Sequence, residues 1–116
     1  MRFVGAGDET HQMHMHGHDM LVTHKDGYPL ASPYYVDTIP VGPGERYDVI
    51  VKMNNPGRFI MHDHVDKHMT NNGASLGGPV TIFEYEEIKA DDWYVWNGKA
   101  YDPNFFYSDS LKQGYG

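Results

Sequence analysis

Two histidine clusters stand about fifty residues apart, His11-Gln12-Met13-His14-Met15-His16-Gly17-His18 and His62-Asp63-His64-Val65-Asp66-Lys67-His68, and hold seven of the eight histidines. Each contains a His-x-His pair among apolar residues: Met13, Met15 and Met20 in the first, Phe59, Ile60, Met61 and Val65 in the second. Such flanks read as β-strand, on which residues two apart project to the same side. His14 and His16 then form one pair of parallel imidazoles, and His62 and His64 another. On a helix the same spacing would set the members of a pair on nearly opposite faces. Imidazole is the commonest protein ligand for transition metals, and four of them without a thiolate suit copper, zinc, iron or nickel rather than calcium or magnesium.

Chance does not explain why two separated clusters share one spacing, and neutral histidines are poor substitutes for apolar core residues. His18 and His24, taken singly, fit a structural role as well as a ligand role. Met13, Met15, Met20, Met61 and Met69 suit the holding of reduced copper, but suit better the filling of a core on the strand face opposite the histidines.

The rest of the composition narrows the classes. At 116 residues the chain is one small domain or most of one, long enough for a single core. Sixteen acidic against nine basic side chains give a net charge of −7, which argues against nucleic acid or an anionic membrane as partner. The absence of cysteine excludes disulfides, thiolate ligands and cysteine nucleophiles. No stretch has the apolar length of a transmembrane span, and the N-terminus lacks the charged start and apolar segment of a signal peptide. Hydrolysis at a histidine-bound zinc is disfavoured, because no motif places a general base. No catalytic residue is expected beyond the metal ligands themselves.

The clusters need strands to hold them. Arg2-Phe3-Val4 reads as the end of a strand, stopped by Gly5-Ala6-Gly7. Strand character returns through the first cluster and Met20 to Thr23, and Lys25-Asp26-Gly27 makes a turn. Tyr28 to Tyr35, with two prolines, is expected to be a loop, Val36 to Ile39 a strand, and Pro40 to Gly44 a turn. Arg46 to Lys52 is the clearest strand. With Asn54-Asn55-Pro56-Gly57 as turn, it reads as a hairpin with Arg58 to His64, which places the second cluster on the return arm. A short helical turn fits Val65 to Met69, a loop Thr70 to Gly78, and a last strand Val80 to Tyr85. Many short strands between Gly, Pro and Asn turns predict an all-β sandwich or barrel.

From Arg2 to about Tyr85 the chain resembles the copper-binding cupredoxin domains of multicopper oxidases. The linked motifs are His11-x-x-His14-x-His16-Gly17-His18, Asp26-Gly27, Val36-Asp37-Thr38, Pro43-Gly44-Glu45-Arg46-Tyr47-Asp48, Pro56-Gly57 and His62-x-His64-x-x-x-His68. The resemblance implies a cupredoxin-like Greek-key β-sandwich or barrel, incomplete at the N-terminus, over residues 1–90. It makes residues 91–116 an arm resembling the start of a following cupredoxin domain; completion of a sheet by strand addition is the competing expectation. It implies that His14 is a type 2 copper ligand, that His16, His62 and His64 bind the type 3 pair, and that His11 and His68 stand where two imidazoles of a type 1 copper belong. A second cupredoxin domain or subunit would complete the cluster, which points to a homo-oligomer or larger assembly. An extracytoplasmic location follows from the resemblance alone.

One departure is decisive. Asp63 occupies the position of the family's type 1 cysteine, so the blue copper chemistry and its cysteine bridge are expected to be absent. Strand parity turns Asp63 away from the His62/His64 face, where burying an unpaired carboxylate is costly, so it requires a partner. Either His11, His68 and Asp63 form a mononuclear metal site, or Asp63 hydrogen-bonds one of those histidines. Two functions are therefore carried forward. One is a copper-binding unit of an oxidase that donates ligands to an oxygen-reducing cluster. The other is a non-catalytic copper or zinc module that stores metal or stabilises an assembly.

Overall fold

Burial alternates along Arg46–Val51, with Tyr47 and Val49 buried and Arg46 and Ile50 in solvent. This is the period of a strand that lays one face on a core. The computed structural model describes residues 1–75 and 77–87, together with 95, 96, 99 and 100. Its strands are β1 (Arg2–Val4), β2 (His11–Met15), β3 (Met20–Lys25), β4 (Tyr28–Val36), β5 (Thr38–Val41), β6 (Arg46–Val51), β7 (Arg58–Asp63), β8 (Thr70–Asn71), β9 (Ala74–Ser75) and β10 (Val80–Glu84). A 3-10 turn, Asp66–Met69, follows β7, where a short helical turn was expected. Among the described residues no helix is long and apolar enough to cross a membrane.

Two four-stranded sheets form, in the orders β1-β6-β3-β4 and β10-β7-β2-β5, with every neighbouring pair antiparallel. Phe3, Met20, Val22, Tyr47 and Val49 from the first sheet meet Met15, Ile39, Val41 and Met61 from the second in one buried cluster. Full burial of each large apolar side chain contributes roughly 1.5–3 kcal/mol, which makes this layer the main source of stability. The methionines at 15, 20 and 61 lie in it, as their core-filling reading requires. The architecture is the all-β, cupredoxin-like sandwich expected.

Three local expectations are corrected. Tyr28 to Tyr35 is not a loop but most of β4, paired to β3. Its prolines are tolerated because β4 is an edge strand with one neighbour, which leaves half of its amide groups without a sheet partner to supply. The β3–β4 turn holds Asp26 at φ 53° and Gly27 at φ 88°, the left-handed pair that matches a two-residue hairpin to the twist of its strands. The second correction is that β6 and β7 are not a hairpin. β6 pairs with β1 and β3, whereas β7 pairs with β2 and β10, so residues 52–57 cross from one sheet to the other. β6 buries Tyr47 and Val49 from one sheet and β7 buries Met61 from the sheet that faces it, a long-range choice that the turn residues between them do not encode. Third, the expected loop over 70–78 contains the small β8–β9 hairpin, with Asn72-Gly73 at its tip.

The expected arm over 91–116 lies outside the described residues, apart from two dipeptide strands, Val95–Trp96 and Lys99–Ala100, which pair antiparallel.

Candidate metal centre

β2 and β7 are the central strands of their sheet, and their register sets His14 opposite His62, Met13 opposite Asp63 and Met15 opposite Met61. Alternation does the sorting. Met15, Met61 and Asp63 are buried, while His14 and His62 project from the other face. His16 and His64 lie one residue beyond the two strands. The ladder nevertheless continues through them, from the His16 amide to the Ile60 carbonyl at 3.0 Å and from the His64 amide to the Gln12 carbonyl at 2.8 Å.

The four rings converge. Centroids are 4.8 Å apart for His14–His16, 5.2 Å for His14–His64 and for His16–His62, 5.4 Å for His62–His64 and 5.7 Å for His14–His62. Nε2 of His16 is 3.1 Å from Nε2 of His62. The ring orientations have causes. Thr38 donates its hydroxyl to Asp37 Oδ1 at 3.0 Å and accepts Nδ1–H of His14 at 2.8 Å, with the Asp37 carbonyl at 3.1 Å from the same nitrogen. His62 donates Nδ1–H to the carbonyl of Asp63 at 2.8 Å. Both rings thereby keep Nε2 as the lone-pair nitrogen, the arrangement by which backbone and hydroxyl partners orient metal-ligating imidazoles. Burial holds His16 below the usual imidazole range, and the neighbouring rings of His14, His62 and His64 act in the same direction. A neutral ring is the form that binds a metal ion.

The opposite face carries Asp63, fully buried. Its Oδ1 accepts the amides of Gln12 and Val65, each at 3.0 Å. Its Oδ2 accepts Nδ1–H of His11 at 2.5 Å and of His68 at 2.7 Å. Burial alone raises a carboxyl group, but the Val65 amide, His11, the Gln12 amide and His68 together outweigh it and hold Asp63 below the ordinary range. On its far side His68 Nε2 reaches Glu9 Oε2 at 2.5 Å, and Glu9 Oε1 accepts from Lys67 Nζ at 2.8 Å. Hydrogen bonding to Glu9 raises His68 above the ordinary value against the opposing effect of burial, and Asp63 adds to the rise. The ligand atoms of His11, Asp63 and His68 all lie within 4.8 Å of one another. A blue type 1 copper requires a thiolate, and Asp63, the residue expected in that place, is a carboxylate with its acceptor sites engaged. The residues do not fit that centre. The four imidazoles on the other face, with no thiolate among them, do fit type 2 and type 3 copper.

His18 stands apart from both groups. It is buried, donates Nδ1–H to the His16 carbonyl at 3.3 Å and accepts the Tyr85 hydroxyl at 2.7 Å, while Tyr85 oxygen accepts the Asn55 amide at 3.1 Å. Its ring is edge-on to Phe59 and stacked on Tyr85. His24 lies on β3 in the other sheet, with Nδ1 3.0 Å from Thr23 Oγ1. Sequence reasoning assigned no role to Glu9, Thr38, Asn55 or Tyr85. Only the buried carboxylate at 63 signalled that partners were needed, and it could not say which.

The chain matches the multicopper oxidase family model over residues 1–88. It is 36% identical over 86 residues to laccase-2 of Fomitopsis schrenkii, covering 70% of this chain and 15% of that one. Among solved structures it is similar to the multicopper oxidase mgLAC, with 69% identity and a TM-score of 0.78, and to the blue copper oxidase of Nitrosomonas europaea, with 50% identity and the same TM-score. Each similarity covers 99% of this chain and 36% of the relative. The chain thus spans about a third of those solved relatives. On the family match and the two-sheet fold together, this chain belongs to the multicopper oxidase family.

Proposed function

We propose that this domain donates His14, His16, His62 and His64 to a type 2/type 3 copper cluster at which a multicopper oxidase couples one-electron oxidations to the reduction of oxygen. The observation that carries the reading is the convergence of four rings on one face of the β2–β7 pair, with Nδ1 of His14 and His62 hydrogen-bonded outward. His14 would serve the type 2 ion, and His16, His62 and His64 the type 3 pair. The bound copper ions would supply the redox chemistry. The chain's own part is to hold the imidazoles in register on two central strands, with Thr38 and the Asp63 carbonyl keeping two of the rings aimed. Four imidazoles are half of the family's ligand set, so a second cupredoxin domain or subunit supplies the rest, in a homo-oligomer or a larger chain. Reducing equivalents enter elsewhere, because this domain has no thiolate. An extracytoplasmic setting accompanies the reading.

Copper analysis with paramagnetic resonance on the full-length oxidase tests it. Wild type is expected to show a type 2 signal and a coupled, silent pair. His14→Ala is expected to lose the type 2 signal, and His62→Ala to disrupt the pair, each with loss of oxygen consumption on a phenolic or ferrous reductant. Copper content unchanged in both variants would overturn the assignment. One isolated type 2 signal without turnover in wild type would favour a non-catalytic copper module instead.

A further inference from the structure

A buried aspartate occupies the place of the family's thiolate, and the four donors around it account for its acceptor capacity. We propose that Glu9, His68, Asp63 and His11 form a metal-free clamp at the type 1 position, and that this clamp holds the backbone carrying His62 and His64. The positioning half of the proposal rests on the reading of those two histidines as copper ligands.

An ionised carboxylate offers about four lone-pair sites. Asp63 fills them with two backbone amides and two imidazole Nδ1–H groups. Both rings point a nitrogen at one oxygen that can only accept, so both are protonated at Nδ1. His68 also directs Nε2 at a carboxylate oxygen of Glu9. A ring between two carboxylates, donating from both nitrogens, is an imidazolium and has no lone pair left for a metal ion. The charges balance without a metal: the carboxylates of Asp63 and Glu9 are matched by the imidazolium of His68 and the ammonium of Lys67.

The clamp reaches the other face through residue 63 itself. Its carboxylate ties β2, at His11 and Gln12, to the 3-10 turn at His68. Its amide donates to the Pro79 carbonyl at 3.1 Å, and its carbonyl accepts from the His62 ring. Residue 63 is therefore held on three sides, and its neighbours in sequence present their rings outward from a fixed peptide. Asp63 and His68 are positioning residues in this scheme.

The test uses the copper-loaded full-length oxidase, its metal content per chain, and the chelator concentration that removes half the copper. In His68→Asn the amide Nδ2 takes the place of imidazole Nδ1 and still donates to Asp63, but the metal-binding ring is gone. In His68→Ala the donor is gone as well. The expected result is wild-type metal content in both, a chelator midpoint lowered only several-fold for His68→Asn, which keeps the donor to Asp63 but loses the bond to Glu9, and a midpoint lowered about tenfold for His68→Ala, with an uncoupled copper signal. Glu9→Gln, on the exposed rim, is expected to lower the midpoint several-fold and keeps the test decisive if His68→Ala does not fold. Loss of one metal ion per chain in His68→Asn would overturn the metal-free clamp. A wild-type midpoint in His68→Ala, or in Glu9→Gln if that variant alone folds, would overturn the positioning role. His14→Ala run alongside separates the two readings: if it keeps all its copper, the ligand assignment fails, whatever His68→Asn shows.

Discussion

His14 and His62 face each other across the β2–β7 ladder, and each is tethered at Nδ1 by a partner on its own side, Thr38 for one and the Asp63 carbonyl for the other. Ring placement is therefore set by strand register and two hydrogen bonds rather than by loop conformation. Sites built on sheet elements are held more precisely than sites on loops.

The His16-Gly17-His18 turn depends on a bare α-carbon. Gly17 has φ +69°, and a Cβ there would lie 2.2 Å from Phe59 Cε1. Gly17→Ala is expected to destabilise the protein by about 1–3 kcal/mol through overpacking, with about 1 kcal/mol more from the left-handed backbone. Urea unfolding measures the loss, and copper retention should fall with it because His16 is displaced.

Tyr85→Phe removes a hydroxyl that accepts from Asn55 and donates to buried His18. Leaving these partners unmatched costs about 1–3 kcal/mol. The expected outcome is lower stability in urea with copper content intact, since neither Tyr85 nor His18 is assigned as a ligand.

The copper-free protein should lose stability as the solution becomes alkaline. His68 is raised above 6.5, chiefly by its bond to Glu9, so its contribution is complete below pH 6.5 and disappears as pH rises through the higher folded value. Asp63 is depressed below 3.8, so its share is present above 3.8 and lost as pH falls through the lower folded value. Urea midpoints at pH 6 and about pH 8.5 check the alkaline limb. Glu9→Gln should flatten it, and an unaltered slope in that variant would contradict the attribution.

Nδ1 of His11 and Nδ1 of His68 already aim at one atom of residue 63. Asp63→Cys supplies the missing thiolate between them, a His2Cys set. Copper added to this variant is expected to give intense thiolate-to-copper absorption in the visible range. A colourless product would show that the two rings cannot close on a shared ion.

Much of this was legible from spacing. The period of two in His14-x-His16 and His62-x-His64 placed four rings on one side of two strands, and the same parity sent Asp63 inward in need of partners. What escaped was long-range. Whether Asn54 to Gly57 makes a hairpin or a crossover depends on which sheet buries Met61, and no local signal in that turn reports it. The prolines of β4 look like loop residues until an edge position makes them harmless. Glu9, Thr38 and Tyr85 are ordinary polar residues in sequence, and only the folded chain brings them against His68, His14 and His18.

In the β2–β7 pair, odd positions such as 13, 15, 61 and 63 turn inward while even positions 14 and 62 turn outward. The two faces therefore answer to different codons. A substitution at position 63 changes the inward set of side chains while leaving the identity of every outward ring as it was.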